Sequence, residues 1–440
     1  MTPGVEVKPG AVAGGIRAPA SKSVTQRALL LAAQAEAPCT LQNALLADDT
    51  HAMMATLLAL GARIHLDTDS EEATLRFLPA DLRPPRQALD LGGSATALRL
   101  LVATCARLAV PVTLGGNASL RTRPQGPLMA ALHALGGRVA SAAGCAPLTV
   151  QGPLRPGSVA LPSGTSSQVA SALALSLPFL PGDSTLRLGL PVASFPYLHL
   201  TLQCARRFGI ELPVEETPRD LGVRVKGGQR PLGTRLAVEG DWSAAAFPLA
   251  AAAVSGGRVR VSGLDPQSLQ GDCRVVELLA AFGARTKMTL DGAEAEGGAL
   301  TSPGPLDVSE TPDLFPVLAV VAAASRGTTA FTGAAALRGK ESDRIAAMAE
   351  GLRRMGIETK ERPDGLVVTG GALRGAEVAS HGDHRVHMAF VVAGLAARGA
   401  TRVEDPGCVT KSYPSFHRDL EALGAPLAQL HGRRIAEVKA

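Results

Sequence analysis

Between residues 20 and 35 the chain reads ASKSVTQRALLLAAQA, a polar opening followed by an almost unbroken apolar run. The pattern predicts a helix running from Val24, capped by Ser21 or Ser23 and buried all round, because no polar stripe interrupts it. Similar small-residue runs recur at TALRLLVATCARL, SSQVASALALSLPFL, SAAAFPLAAAAVSG, DLFPVLAVVAAASRG and RVHMAFVVAGLAARG. Each is followed by a short alternating segment, namely CTLQNA, VPVTLGG, STLRLGL, RVRVSGL, TTAFTG or ATRVED. Alternation of that kind reads as a strand with one buried face.

A second phrase interleaves with the first: LLALGARIHL, LHALGGRVAS, CARRFGIELP, LLAAFGARTK, LRRMGIETKE and LEALGAPLAQ. Each is an amphipathic helix stopped by glycine, the residue that accepts the left-handed conformation at a helix C′ position. The glycines are Gly61, Gly136, Gly209, Gly283, Gly356 and Gly424, spaced 75, 73, 74, 73 and 68 apart. The chain is therefore α/β, with six units of helix, strand, helix, glycine and strand, each about 70 residues long. Solenoid repeats are usually shorter, about 20–50 residues, and carry capping ends. Here the N-terminal VEVKPG can instead supply a strand to the incomplete sixth unit. Two lobes of three units each are expected, one from 1–18 plus 240–440 and the other from 19–239. The joins fall near Arg17–Pro19 and Glu239–Asp241.

Composition narrows the picture. Aromatic residues make up 3% of the 440, so the core must be built from Ala, Leu and Val. The net charge of +5 and pI near 9.0 suit an anionic partner, but the basic residues are scattered and form no tail of the nucleic-acid-binding kind. Six widely spaced cysteines without any C-x-x-C pair imply reduced thiols in a cytoplasmic protein. The N-terminus lacks a secretory leader pattern, and no apolar run reaches the roughly 18 residues of a membrane span.

The candidate chemistry lies where the small-residue helices begin. These mouths read ASKSVTQR, GGSATALR, SGTSSQ, EGDWS, ETPD and HGDHR. Helix N-termini with free N–H groups attract phosphate and carboxylate. Lys22 and Arg27 stand at a partly positive helix end, which disfavours cations by roughly 0.3–1 kcal/mol each. They are expected to be tolerable only where an anion comes to sit. SKS lacks the full phosphate-loop frame, and Arg385 within HGDHRVH argues against a metal there. A further charged group, Lys340, Glu341, Asp343 and Arg344, reads as the opening of a helix, and a carboxylate between Lys and Arg suits a general acid beside a phosphorylated substrate. Lys411 follows in the loop CVTKSYP.

Taken together, PASKSVTQRALLLAA, TRP at 122–124, GTSSQ, SFPY, VEGDWSAAAFPLAAAA, SLQGD, PDLFP, KESDR, GDHR and CVTKSYP resemble the 5-enolpyruvylshikimate-3-phosphate synthase family, in order, over essentially the whole chain. The resemblance implies two lobes of three βαβαββ units that close on substrate. It implies transfer of the enolpyruvyl group of phosphoenolpyruvate to the 5-hydroxyl of shikimate 3-phosphate, with release of phosphate and no metal or cofactor. By the same resemblance Ser23, Arg27, Ser166, Ser167, Gln168, Ser194, Tyr197, Asp313 and Lys340 would hold shikimate 3-phosphate. Lys22, Ala95, Arg123, Gln168, Arg344, Arg385 and Lys411 would line the phosphoenolpyruvate site. Asp313 and Glu341 match the acid/base pair, with Lys22 beside them in catalysis. Ala95 stands where many members carry Gly, a position where glycine leaves room for glyphosate, and Ala336 stands where several place Asn. Small-molecule substrates, no nucleic acid, no membrane and a monomer are expected.

Two other readings are weighed. The sister enolpyruvyl transferase acting on UDP-N-acetylglucosamine normally has Cys in the loop that here reads LGGNASLRTRP, without Cys. A basic clamp for single-stranded nucleic acid would need stacking aromatics, which this chain has few of.

Overall fold

The computed structural model describes residues 3–67 and 72–430. The six small-residue runs form helices α1 (Lys22–Ala32), α2 (Ala95–Cys105), α3 (Ser167–Ala174), α4 (Trp242–Ser255), α5 (Phe315–Ala324) and α6 (His384–Ala396). They are core helices: α4 is buried continuously over Trp242–Ala253, and α6 over His384–Leu395. Side chains of alanine size let such helices approach closely. In one half of the chain α4, α5 and α6 pack on one another, and in the other α2 packs on α1 and α3.

The glycine-stopped helices all end alike. In each, the glycine takes a positive φ, from 75° at Gly209 to 96° at Gly61. The next residue donates its N–H to a carbonyl five residues back, as in Ala62 to Leu57 and Ile357 to Leu352, at 2.9 and 3.0 Å. This is the Schellman closure, which turns the chain from helix into strand.

Among the described residues there are six four-stranded sheets, all built alike. One edge strand runs parallel to its neighbour. The two remaining pairings are antiparallel, as in the sheet where Arg258–Ser262 meets Gly292–Glu296 and that strand meets Arg285–Thr289. The N-terminal strand Gly4–Val7 lies between Thr401–Glu404 and Leu427–Leu430, with Val5 opposite Val403 and Gln429. Ala13–Arg17 pairs with Arg258–Ser262, and Arg235–Ala237 with Cys39–Gln42. Each half is thus closed by strands far apart in sequence.

The chain divides into two compact units. One comprises the described parts of 1–19, 240–268 and 272–440; the other comprises those of 20–239 with 269–271. No helix among the described residues is long and apolar enough to cross a membrane.

In the first unit an unusual polar contact fixes α6. His387, fully buried, places Nδ1 2.9 Å from the Glu404 carbonyl and Nε2 2.9 Å from Nε2 of His417, on the helix Phe416–Ala422. A carbonyl can only accept, so His387 Nδ1 carries the hydrogen, His387 Nε2 accepts, and His417 donates. Burial, and for His387 also the neighbouring ring, pull the two down to about 3 and about 4. A histidine depressed in the folded state contributes stability above its unfolded pKa and loses it as pH falls. The melting temperature should therefore fall between about pH 6.5 and pH 4. Replacing the pair with apolar residues, His387→Leu with His417→Phe, should flatten that acid limb in a scanning-calorimetry series. An unchanged limb would show that other groups cause it.

Candidate active site

In the second unit the mouth of α1 is built by Ser21, whose side chain caps Val24 N–H at 3.4 Å. Lys22 does not wait for an external anion, because its Nζ lies 3.1 Å from Asp49. Arg27 also departs from the sequence expectation. It is 2% exposed and donates to the Thr201 hydroxyl (2.7 Å), the Ser23 carbonyl (2.9 Å), the Tyr197 carbonyl (3.2 Å) and the Ser171 hydroxyl (3.3 Å). Neutral acceptors replace the missing counter-ion, and burial draws its pKa down to about 10. The two cations are tolerated because the fold supplies an internal carboxylate to one and a cage of oxygens to the other. Those same bonds hold Ser23 and Tyr197 in place.

The mouths of α2 and α3 adjoin this network. Gln26 donates to the Ser94 hydroxyl at 2.8 Å, and Ser94 caps α2 directly before the buried Ala95. Ser166 caps α3, accepting from Gln168 N–H at 3.3 Å, while Ser167 N–H donates to the Ala193 carbonyl at 3.0 Å. Ser194 holds a positive φ of 59° and accepts from Tyr197 N–H at 3.1 Å. A non-glycine residue in that region is held there by its surroundings. Arg123 is 4% exposed and reaches the Ser119 hydroxyl at 3.1 Å.

In the first unit the charged residues gather around Arg344, which is 1% exposed. Its Nε meets Asp383 Oδ2 at 2.8 Å, Nη1 meets Asp313 Oδ1 at 2.8 Å, and Nη2 meets Glu341 Oε2 at 2.9 Å. Arg385 Nη2 lies 3.1 Å from Asp313 Oδ2, and Lys340 Nζ 3.7 Å from Asp313 Oδ1. Lys411 Nζ lies 3.8 Å from Glu341 Oε1. The helix here begins later than the charge pattern suggests. Asp343 is the N-cap, accepting from Ile345 and Ala346 N–H at 3.1 and 3.0 Å, so the helix is Arg344–Arg354. Lys340 and Glu341 lie in the loop before it, and there Lys340 faces Asp313 and Glu341 faces Lys411 and Arg344.

Burial opposes the charge on Arg344, but Asp383, Glu341 and Asp313 outweigh it and hold the guanidinium pKa above its ordinary value. At Lys340 the balance differs: Asp313 favours the ammonium, yet burial, Arg344 and Arg385 prevail and lower its pKa. Two residues of this cluster escaped the sequence reading as functional groups. Asp383 is fully buried, caps α6 through Arg385 N–H at 2.9 Å, and orients Arg344. Asp272, buried and bonded to Ser243, is pushed up to about 7 by burial and then by Asp313. The signals were present in GDHR and SLQGD, but nothing in a linear pattern says which aspartate is buried beside which arginine. Ala336 is exposed on the short helical turn Ala335–Gly339.

The chain matches known proteins over nearly its whole length. The family model of EPSP synthase (3-phosphoshikimate 1-carboxyvinyltransferase) matches residues 7–420. The 3-phosphoshikimate 1-carboxyvinyltransferase of Methanocorpusculum labreanum is 40% identical over 419 residues, covering 95% of this chain and 98% of the relative. That of Halobacterium salinarum is 40% identical over 435 residues, covering 95% and 98%. The solved EPSP synthase of Acinetobacter baumannii superposes with a TM-score of 0.80 at 27% identity, covering 98% of this chain and all of that one. The enolpyruvyl transferase NikO of Streptomyces tendae shares the fold, with a TM-score of 0.75 at 18% identity. The chain belongs to the EPSP synthase (3-phosphoshikimate 1-carboxyvinyltransferase) family, transferases of the shikimate pathway and of aromatic amino acid biosynthesis.

Proposed function

We propose that Asp313 and Glu341, two of the three carboxylates gripped by Arg344, are the proton-transfer pair of enolpyruvyl transfer from phosphoenolpyruvate to the 5-hydroxyl of shikimate 3-phosphate. The observation that carries this reading is the arrangement itself: Asp313 and Glu341 share one buried guanidinium, with Lys340, Arg385 and Lys411 around them. Asp313 takes the proton of the 5-hydroxyl as its oxygen attacks C2 of the donor. Glu341 delivers a proton to the methylene carbon. In the elimination from the resulting tetrahedral adduct, the leaving phosphate takes up the proton that Asp313 accepted, and a methyl proton returns to Glu341, which regenerates the double bond and restores both carboxyl groups. A polyanion arriving beside Glu341 raises the carboxyl pKa, which favours the protonated form that a general acid needs.

Donor contacts are assigned to Lys22, Arg123, Gln168, Arg344, Arg385 and Lys411, with Ala95 at the edge of that site. Acceptor contacts are assigned to Ser23, Ser166, Ser167, Gln168, Ser194, Tyr197, Asp313 and Lys340, with Arg27 acting through its charge. Orientation and charge neutralisation, not a covalent nucleophile, supply the rate. Six free thiols support a cytoplasmic setting, where the enzyme works as a monomer. Phosphate release should require phosphoenolpyruvate together with shikimate 3-phosphate. Release with UDP-N-acetylglucosamine instead would reassign the substrate.

Glu341→Gln and Asp313→Asn should each keep the fold and substrate binding yet lower kcat by roughly 10²–10⁴. Near-normal turnover in either variant would remove that residue from proton transfer.

Ala95 is 8% exposed at the first turn of α2, so its methyl has little room to yield. Overpacking by one methyl costs on the order of 1–3 kcal/mol. That corresponds to roughly a tenfold to hundredfold weaker glyphosate inhibition, while the shorter phosphoenolpyruvate suffers less. The enzyme should be glyphosate-tolerant, and Ala95→Gly should become sensitive. Equal inhibition of the two proteins by glyphosate in competition with phosphoenolpyruvate would refute the steric account.

A further inference from the structure

One half-buried arginine in the second unit stands outside every assignment above. Arg99, one turn into α2, donates from Nη1 to Gln168 Oε1 at 2.5 Å and from Nε to Gln125 Oε1 at 3.0 Å. Among the described residues no carboxylate pairs with it. Burial, with a contribution from the charge on Arg123, lowers its pKa to about 10, so it remains a cation at neutral pH.

A guanidinium has donors and no acceptor. Any carboxamide that meets it must therefore turn its oxygen inward and its NH2 outward. Gln125 obeys this rule visibly: its Oε1 faces Arg99, and its Nε2 donates to the Arg123 carbonyl at 3.0 Å. Gln125 is 1% exposed, so the bond also fixes the backbone from which the Arg123 side chain springs. Gln168 obeys it too, with Oε1 on Arg99. Its Nε2 hydrogens then point away from Arg99, and among the described residues none accepts from them. In the flipped amide, two donors would meet head-on and the oxygen would turn outward.

We propose that Arg99 is a positioning residue for anion recognition, which locks Gln168 with its NH2 presented to the anionic donor substrate and holds the Arg123 backbone through Gln125. A glutamine in either amide orientation would be as ready to repel an anion as to bind it; the arginine removes that ambiguity. The inference rests on the reading of Gln168 and Arg123 as donor-substrate ligands and adds the residue that orients them.

The test is a double-mutant cycle of Arg99→Met and Gln168→Ala, with KM for phosphoenolpyruvate and kcat measured for each protein and melting temperature as the control for folding. Loss of a hydrogen bond to a charged group corresponds to roughly a tenfold to hundredfold rise in that KM. Arg99→Met should show such a rise with a smaller change in kcat. In the double variant the two effects should fall short of multiplying, because the part of Arg99's action that runs through the Gln168 amide is already lost with Gln168 and only the part that runs through Gln125 remains to be removed. Arg99→Lys keeps the charge but cannot span both carbonyls as a planar fork, so it should also raise this KM, and it decides the question if Arg99→Met does not fold. Wild-type KM in the Arg99 variants, or effects that multiply in the double variant, would overturn the inference while leaving Gln168 as a ligand. A wild-type KM in Gln168→Ala would instead overturn the reading of Gln168 and this inference with it.

Discussion

Six helices with no polar stripe impose the governing constraint on this protein. A helix apolar on every side has to be covered on every side, and the repeated sheets and amphipathic helices provide the cover. The backbone N–H groups at each helix start cannot be hidden in the same way. Five of the six starts are capped by a side chain, namely Ser21, Ser94, Ser166, Asp241 and Asp383. Polar residues are therefore concentrated where otherwise apolar helices begin, and the candidate chemistry follows them there.

The two units solve the problem of buried charge differently. Around α1 an arginine is embedded among hydroxyls and carbonyls, with no carboxylate in direct contact among the described residues. Arg99 repeats that solution with two amide oxygens. Such sites retain positive potential toward an anion, since hydrogen bonding satisfies the donors without cancelling the charge. Around Arg344, in contrast, three carboxylates surround one guanidinium, and further cations surround the carboxylates. That cluster is close to electrically balanced, and its proton affinities respond to an added negative charge. Anion holding suits the first arrangement and proton transfer the second.

Asp383 shows how closely folding and chemistry share residues. It caps α6 and at the same time fixes the guanidinium that holds Asp313 and Glu341. The His387–His417 contact secures the same helix one turn further on, through a bond that survives only while His387 Nε2 stays unprotonated and can accept. Disturbing either contact should alter the site through the direction of α6 rather than through loss of a substrate contact.

Much of the architecture is legible in one dimension. Hydrophobic periodicity reports burial directly, and a left-handed C′ residue strongly favours glycine, so the six-unit count and the helix ends could be read from the chain. The N-terminal strand lies in the sheet of the last unit, as its alternating pattern allowed. Motif resemblance named Arg27, Gln168, Asp313, Glu341 and Arg344. What tertiary structure decided is the partner of each charge. Whether Lys22 faces Asp49 or solvent depends on residues brought together across 27 positions, and Arg27 meets Thr201 across 174. Asp343 and Asp383 look equivalent to Glu341 in sequence, yet one caps a helix, one is buried behind Arg344, and one lies beside Lys411. The amide polarity of Gln168 is likewise invisible until Arg99 is placed against it. Periodicity encodes which side of an element is dry, because burial is a property of each position. Electrostatic pairing depends on distances between positions, and only folding sets those.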